Sequence, residues 1–140
     1  DGPAYKLLET AKENKNVMLL GTNSLWEGVD LPGSLLQVLV LTRLPFPVPT
    51  EPLFAARSEQ FREPFNEHAV PQAVLRFRQG FGRLIRNKND RGVVIILDRR
   101  ITSKPYGNTF LYSLPNCTIK ETSLRHMNQE IDLWLPGSSY

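Results

Sequence analysis

The stretch whose reading decides the fold is "QAVLRFRQGFGRLIRNKNDRGVVIILDRR", Gln72 to Arg100, because its hydrophobic period changes part-way along. At about 100° per residue, Val70, Ala73, Val74, Phe77, Phe81 and Leu84 fall in one apolar stripe, which predicts a helix with a core face. Gln72, Arg76, Gln79, Arg83 and Arg86 fall opposite. That polar stripe is either the solvated back of the helix or the wall of a cleft. Gly80 and Gly82 sit beside it, and a glycine inside a helix costs about 0.5–1 kcal/mol relative to alanine, so each argues for a close approach by another backbone or a ligand. The period then vanishes. Val93 to Leu97 is a continuous apolar run closed by Asp98, Arg99 and Arg100, the signature of a strand covered on both faces.

Working outward, "VMLL" (Val17 to Leu20) and Gln37 to Leu41 read as two more buried strands. A helix is expected from Pro3 with Tyr5, Leu7, Leu8 and Ala11 on one side, and an amphipathic helix over "PLFAARSEQFREPFNEH" from Pro52. Pro45, Pro47, Pro49 and Pro52 cannot sustain a ladder, so Leu44 to Thr50 should be an extended, largely unpaired loop. The tail promises one or two helical turns and a short strand near Cys117 to Lys120. A last helix should bury Leu124, Met127, Ile131 and Leu135. Buried strands alternating with helices imply an α/β fold, a parallel sheet with helices on both faces in three layers. Ligands of such sheets bind at the carboxyl ends of the strands.

Composition narrows the chemistry. The chain has 140 residues, with 17 Lys plus Arg against 14 Asp plus Glu, and its net charge of +3 fits phosphate-bearing partners without demonstrating them. One cysteine, Cys117, rules out an internal disulfide or a multi-cysteine metal site built by this chain alone, and it reads as a small buried thiol. No stretch approaches the roughly 18 apolar residues of a membrane span, and the first residues are not a signal peptide; a cytoplasmic protein without membrane partners is expected.

A second stretch, "GTNSLWEGVDLPG" from Gly21 to Gly33, follows the first expected strand. Its glycines and acids suit a loop that supports a nucleotide, with Asp30 accepting a hydrogen bond from a ribose hydroxyl. An ordinary turn-rich loop in which Asp30 caps the next segment explains the same residues.

Together these stretches resemble motifs V and VI of superfamily 2 helicases, most closely the branch of the DinG helicases and their XPD-like relatives. The motif VI pattern Gln-x-x-Gly-Arg-x-x-Arg falls on Gln79, Gly82, Arg83 and Arg86. An Asp-x-Gly before a strand ending Asp-x-Arg falls on Asp90, Gly92, Asp98 and Arg100. "LTRLPFPVPTEP" is similar to the branch's Lys-Leu-Pro-Phe loop, with Arg43 in place of lysine, and "YGNTFLYSLP" to its C-terminal signature.

The resemblance implies the second RecA-like (P-loop NTPase type) motor domain of an ATP-dependent DNA helicase. Residues 1–140 would form a partial helicase C-terminal domain, truncated on its N-terminal side with motif IV absent. It further implies that Arg83, Arg86 and Gln79 face the γ-phosphate of ATP across a cleft, and that Gly28, Asp30, Glu27 and Gly82 lie around the nucleotide. Arg43 and Thr22 would touch DNA. The implied partners are the first RecA-like domain of the same parent chain and single-stranded DNA, with ATP and Mg2+ as cofactors of the full-length protein. No Gly-x-x-x-x-Gly-Lys-Ser/Thr loop and no magnesium-holding acidic motif occurs here, so the isolated chain is expected to bind neither cofactor and to be inactive. The alternative is a non-catalytic nucleic-acid-binding or clamp module of a nuclease-linked helicase-like protein.

Overall fold

Two apolar runs meet, but neither is the fully covered strand expected: Val40 and Leu97 are exposed and Val93–Ile96 is half-buried. In the structure, a computed structural model that describes residues 4–14, 17–22, 36–87 and 89–135, β1 (Val38–Leu41) pairs with β2 (Val93–Ile96). The Val93 N–H donates to the Gln37 carbonyl and the Leu97 N–H to the Leu41 carbonyl, each at 2.9 Å, so both strands advance four residues in the same direction and the pair is parallel. A parallel pair needs a long crossover. Here it holds α2 (Pro52–Ser58), a π-helix (Phe65–Ala69) and α3 (Val70–Leu84). Among the described residues, α1 (Ala4–Glu13) precedes the pair, and α4 (Arg100–Ser103), α5 (Gly107–Tyr112) and α6 (Met127–Trp134) follow it.

By their contacts the residues sort into two compact units. One comprises Asp1–Leu39, Phe81–Ile95 and Thr118–Tyr140, the other Val40–Gly80 and Ile96–Cys117. Among the described residues, the second carries the larger set of buried side chains. Ala73, Phe77 and Phe110 are at most 1% exposed, and Leu41, Leu44, Val70 and Ile101 are buried as well. Phe110 packs edge-on against Phe77 (5.5 Å between centroids) and Phe46 (5.8 Å), and Phe46 stacks on Phe65 at 5.6 Å. Tyr106 meets both Phe46 and Phe65 edge-on. Each fully buried phenylalanine contributes about 1.5–3 kcal/mol by burial, and each ring pair about 0.5–1.5 kcal/mol more. Gly107 is required by this packing: a Cβ there would run into the Ile101 carbonyl oxygen and lie 2.6 Å from its carbon. In the first unit Leu84, Ile131 and Leu135 are buried. Gly92 makes room there, since a Cβ on it would sit 2.5 Å from Cγ of the buried Leu84.

The apolar stripe of α3 lies where periodicity puts it, with Val70, Ala73, Phe77 and Leu84 buried and Val74 and Phe81 half-buried. Its start departs from a simple helix. The long helix expected from Pro52 stops at Ser58 and resumes only after Pro64, as a π-helix in which the Val70 N–H reaches the Phe65 carbonyl. Pro71 supplies the reason: it has no N–H, and its ring would strike the carbonyl four residues back in an α-helix, a conflict that the wider turn relieves. Glu67 fixes the entry by accepting the Arg62 and Glu63 amides at 3.1 and 3.4 Å.

Four further expectations are corrected. Val17–Leu20 forms no strand, and Met18 and Leu20 are more than 80% exposed; among the described residues the sheet consists of β1 and β2, so this run has no ladder partner. No strand forms at Cys117 to Lys120 either, for the same want of a paired edge. Cys117, carried on that irregular stretch, is exposed rather than buried. Leu124 is exposed, because α6 begins one turn later, after a Ser123–His126 turn in which the His126 N–H donates to the Ser123 carbonyl at 3.0 Å.

Candidate functional site

The polar stripe of α3 is only partly exposed, with Gln72 and Arg76 half-buried. Gln79 is exposed and Arg83 half-buried, whereas the helix ends at Leu84, so Arg86 stands on the turn beyond it rather than on the helix itself. That turn is held by one carboxylate. Asp90 Oδ2 accepts the Arg86 amide at 2.8 Å and the Asn87 amide at 3.0 Å, and the Asn89 N–H closes onto Asn87 Oδ1 at 2.9 Å. Those two backbone amides draw the Asp90 carboxyl below its ordinary value. Arg86 Nε in turn donates to the Arg83 carbonyl at 3.4 Å, which folds its side chain toward the last turn of the helix. The two glycines behave differently. Gly80 is buried, while Gly82 is exposed and a Cβ on it would meet nothing within 4 Å. Nothing among the described residues therefore requires glycine at position 82, although alanine would favour the helix.

The carboxyl ends of β1 and β2 carry a second polar centre. Asp98, just beyond β2, accepts the Leu44 amide at 2.8 Å through Oδ2, a bond between residues 54 apart in sequence. Its Oδ1 accepts the Arg100 amide at 3.0 Å, and the Arg100 guanidinium closes a fork with Nε at 3.0 Å from both oxygens and Nη2 at 2.6 Å. The Arg100 side chain holds the Asp98 carboxyl far below the usual carboxylate range; the Leu44 and Arg100 amides add to this against the burial that opposes it. Asp98 in return raises Arg100 further. The guanidinium carbon also lies 5.3 Å from the centre of the Phe46 ring, a cation–π contact. Leu44 and Phe46 are thus tied down on either side of Pro45, and the neighbouring Arg43 stays exposed. Thr42, Arg43, Leu97, Asp98, Arg99 and Arg100 line an open depression of about 320 Å³. It lies where α/β sheets bind ligands.

Of the residues singled out from sequence, Arg43 is brought into this depression, and Gln79, Arg83 and Gly82 share α3. Thr22 is exposed on an irregular stretch. Glu27, Gly28 and Asp30 lie outside the described residues. Asp98 and Arg100 were legible as a pattern but without a role. Their position directly after an apolar strand was the available signal, while the bond to Leu44 left none.

Comparison with known proteins agrees with the motifs. Residues 1–117 match the helicase C-terminal domain family. The chain is 44% identical over 140 residues, 97% of its length, to the 3'-5' exonuclease DinG of Bacillus subtilis. It is 49% identical over 115 residues, 79% of its length, to the ATP-dependent DNA helicase YoaA of Haemophilus influenzae. Over 111 residues, 76% of the chain, it is 44% identical to the ATP-dependent DNA helicase DinG of Photobacterium profundum. The chain spans only 15%, 18% and 16% of these three relatives. Among the described residues, its small parallel sheet with helices is consistent with the RecA-like α/β fold of such domains. The chain belongs to the helicase C-terminal domain family, and within it resembles the DinG and YoaA helicases.

Proposed function

We propose that this chain is the C-terminal motor domain of an ATP-dependent DNA helicase and supplies Arg83 and Arg86 to an ATP site shared with a first RecA-like domain of the same parent protein. The observation that carries this reading is Gly82, an exposed helical glycine with open space where its side chain would be, on the face that also bears Gln79 and Arg83. A helix gives up about 0.5–1 kcal/mol to keep glycine there, which makes sense if another surface closes on it. The two guanidinium groups stabilise negative charge developing on the transferred phosphoryl group, as fixed cations in a dry cleft do. Arginine suits this task because its planar fork matches phosphate oxygens. Gln79 orients the reacting groups, and Glu27, Gly28 and Asp30 support the nucleotide loop or couple it to DNA. ATP and Mg2+ are the cofactors of the full-length protein, and the isolated chain turns over no ATP. Residues 1–140 would then be one partial motor domain, working in the cytoplasm, with single-stranded DNA passing over Arg43 and Thr22.

A second reading, a clamp module in a nuclease-linked protein, draws on the Bacillus subtilis relative, named a 3'-5' exonuclease and matched over 97% of this chain. Assays of the full-length parent separate the two. A motor hydrolyses ATP faster when single-stranded DNA is added. A nuclease-linked clamp goes with shortening of a 5'-labelled strand from its 3' end and no DNA-stimulated ATP turnover.

A further inference from the structure

Unlike Asp98 and Arg100, which satisfy one another, Arg43 and Arg99 have charge to spare. Both are exposed, both line the depression at the strand ends, and among the described residues neither guanidinium has a hydrogen-bond or ion-pair partner. Their backbones are nevertheless pinned. Arg43 precedes Leu44, whose amide is held by Asp98 and whose side chain is 3% exposed, and Arg99 sits between Asp98 and Arg100. With Arg100 committed to Asp98 and Phe46, the net charge lining the depression is that of Arg43 and Arg99.

We propose that Arg43 and Arg99 form a binding site for one backbone phosphate of single-stranded DNA at the carboxyl ends of β1 and β2, with the Asp98–Arg100 pair as the latch that positions both arginines. The proposal rests on the helicase reading and deepens it: Arg99 and the latch are additional to the residues assigned there. An open, cationic depression suits a phosphodiester in passage, because proteins that track single strands do so through positively charged grooves. A nucleoside triphosphate presents the same phosphate chemistry, so the test must separate the two sources.

The test measures binding of full-length parent to a labelled oligothymidylate across a range of salt concentrations, with KM for ATP measured alongside. Arg43→Ala and Arg99→Ala should each weaken binding about tenfold at low salt. Because both hold one phosphate, the double variant should lose less than the product of the two and flatten the logarithmic salt slope by about 0.7. Asp98→Asn should weaken binding as Arg43→Ala does, with little further loss when the two are combined. Should Asp98→Asn fail to fold, Arg100→Lys, which keeps the charge but loses the fork, replaces it with the same expectation. Unchanged affinity and slope in Arg99→Ala overturn the site, and an effect of Arg43→Ala alone would leave only the simpler contact. A raised KM for ATP with DNA binding untouched would overturn it in favour of the nucleotide. A parent that shows no salt-dependent DNA binding at all would instead sink the helicase reading beneath it.

Discussion

Two aspartates, Asp90 and Asp98, each accept backbone amides beside an arginine, yet they stand in opposite surroundings. Asp90, half-buried, holds the amides of the exposed Arg86 and Asn87 on a surface turn. Asp98 is 8% exposed at its side chain and accepts from Leu44 and Arg100 over an aromatic cluster. In water the partners of Asp90 are readily replaced by solvent, so it shapes a turn without holding the fold. The low-dielectric surroundings of Asp98 make each of its bonds stronger and each loss costlier. The strand ends are therefore tied in place, whereas beside Gly82 on α3 the space is open.

The comparison breaks most severely at the cluster beneath Asp98. Phe110→Ala should cost about 3–5 kcal/mol, the usual range for deleting a fully buried ring, and should be measured by urea unfolding of this chain. Next comes Asp98→Ala. Removing one partner of a buried pair costs about 3–5 kcal/mol, but the Arg100 side chain is 41% exposed and can turn to water, so about 2–3 kcal/mol is expected. The same group sets a pH dependence. Because the folded-state value of Asp98 is depressed, its contribution is present above the unfolded carboxylate pKa of about 4 and is lost as pH falls below it toward the folded value. Melting temperature should thus drop more steeply below about pH 4 in the unaltered chain than in Asp98→Asn.

On the other side of the comparison the effects shrink and change sign. Gly82→Ala should stabilise this chain by about 0.5–1 kcal/mol, as propensity dictates in open space, while slowing ATP turnover in the parent if a second surface closes there. Destabilisation of the isolated chain would mean that the space is already filled. Smallest of all, Asp90→Asn should leave the melting temperature nearly unchanged and act instead on the order of the Arg86 turn, visible as faster amide exchange at Arg86 and Asn87.

The legible and illegible parts of the molecule divide along physical lines. β1 and β2 follow from continuous apolar runs, and the buried stripe of α3 from side-chain periodicity, because a face that must be buried marks every turn of a helix. Val17–Leu20 misled because apolar content does not create a hydrogen-bonded neighbour, and Leu124 because a helix start shifted by one turn moves a whole side chain off the core. The π-turn before Val70 could have been suspected from Pro71, whose missing N–H has a known cost at that place. At the strand ends the exposed Arg43 was readable from its loop, but the carboxylate beneath it was not. Asp98 finds Leu44 only after the parallel pairing of β1 and β2 brings residues 54 apart together.

The central claim, that Arg83 of α3 and Arg86 on the following turn serve a phosphoryl-transfer site completed elsewhere, is tested most directly by single-turnover ATP hydrolysis in the full-length parent carrying both Arg83→Ala and Arg86→Ala. The predicted result is a fall in the hydrolysis rate of about 10³-fold or more, with ATP affinity changed only a few-fold, since such arginines act chiefly on the transition state. A double variant with near-normal turnover would contradict the account, and the stripe of Gln79, Arg83 and Arg86 would then be no more than the solvated back of a helix.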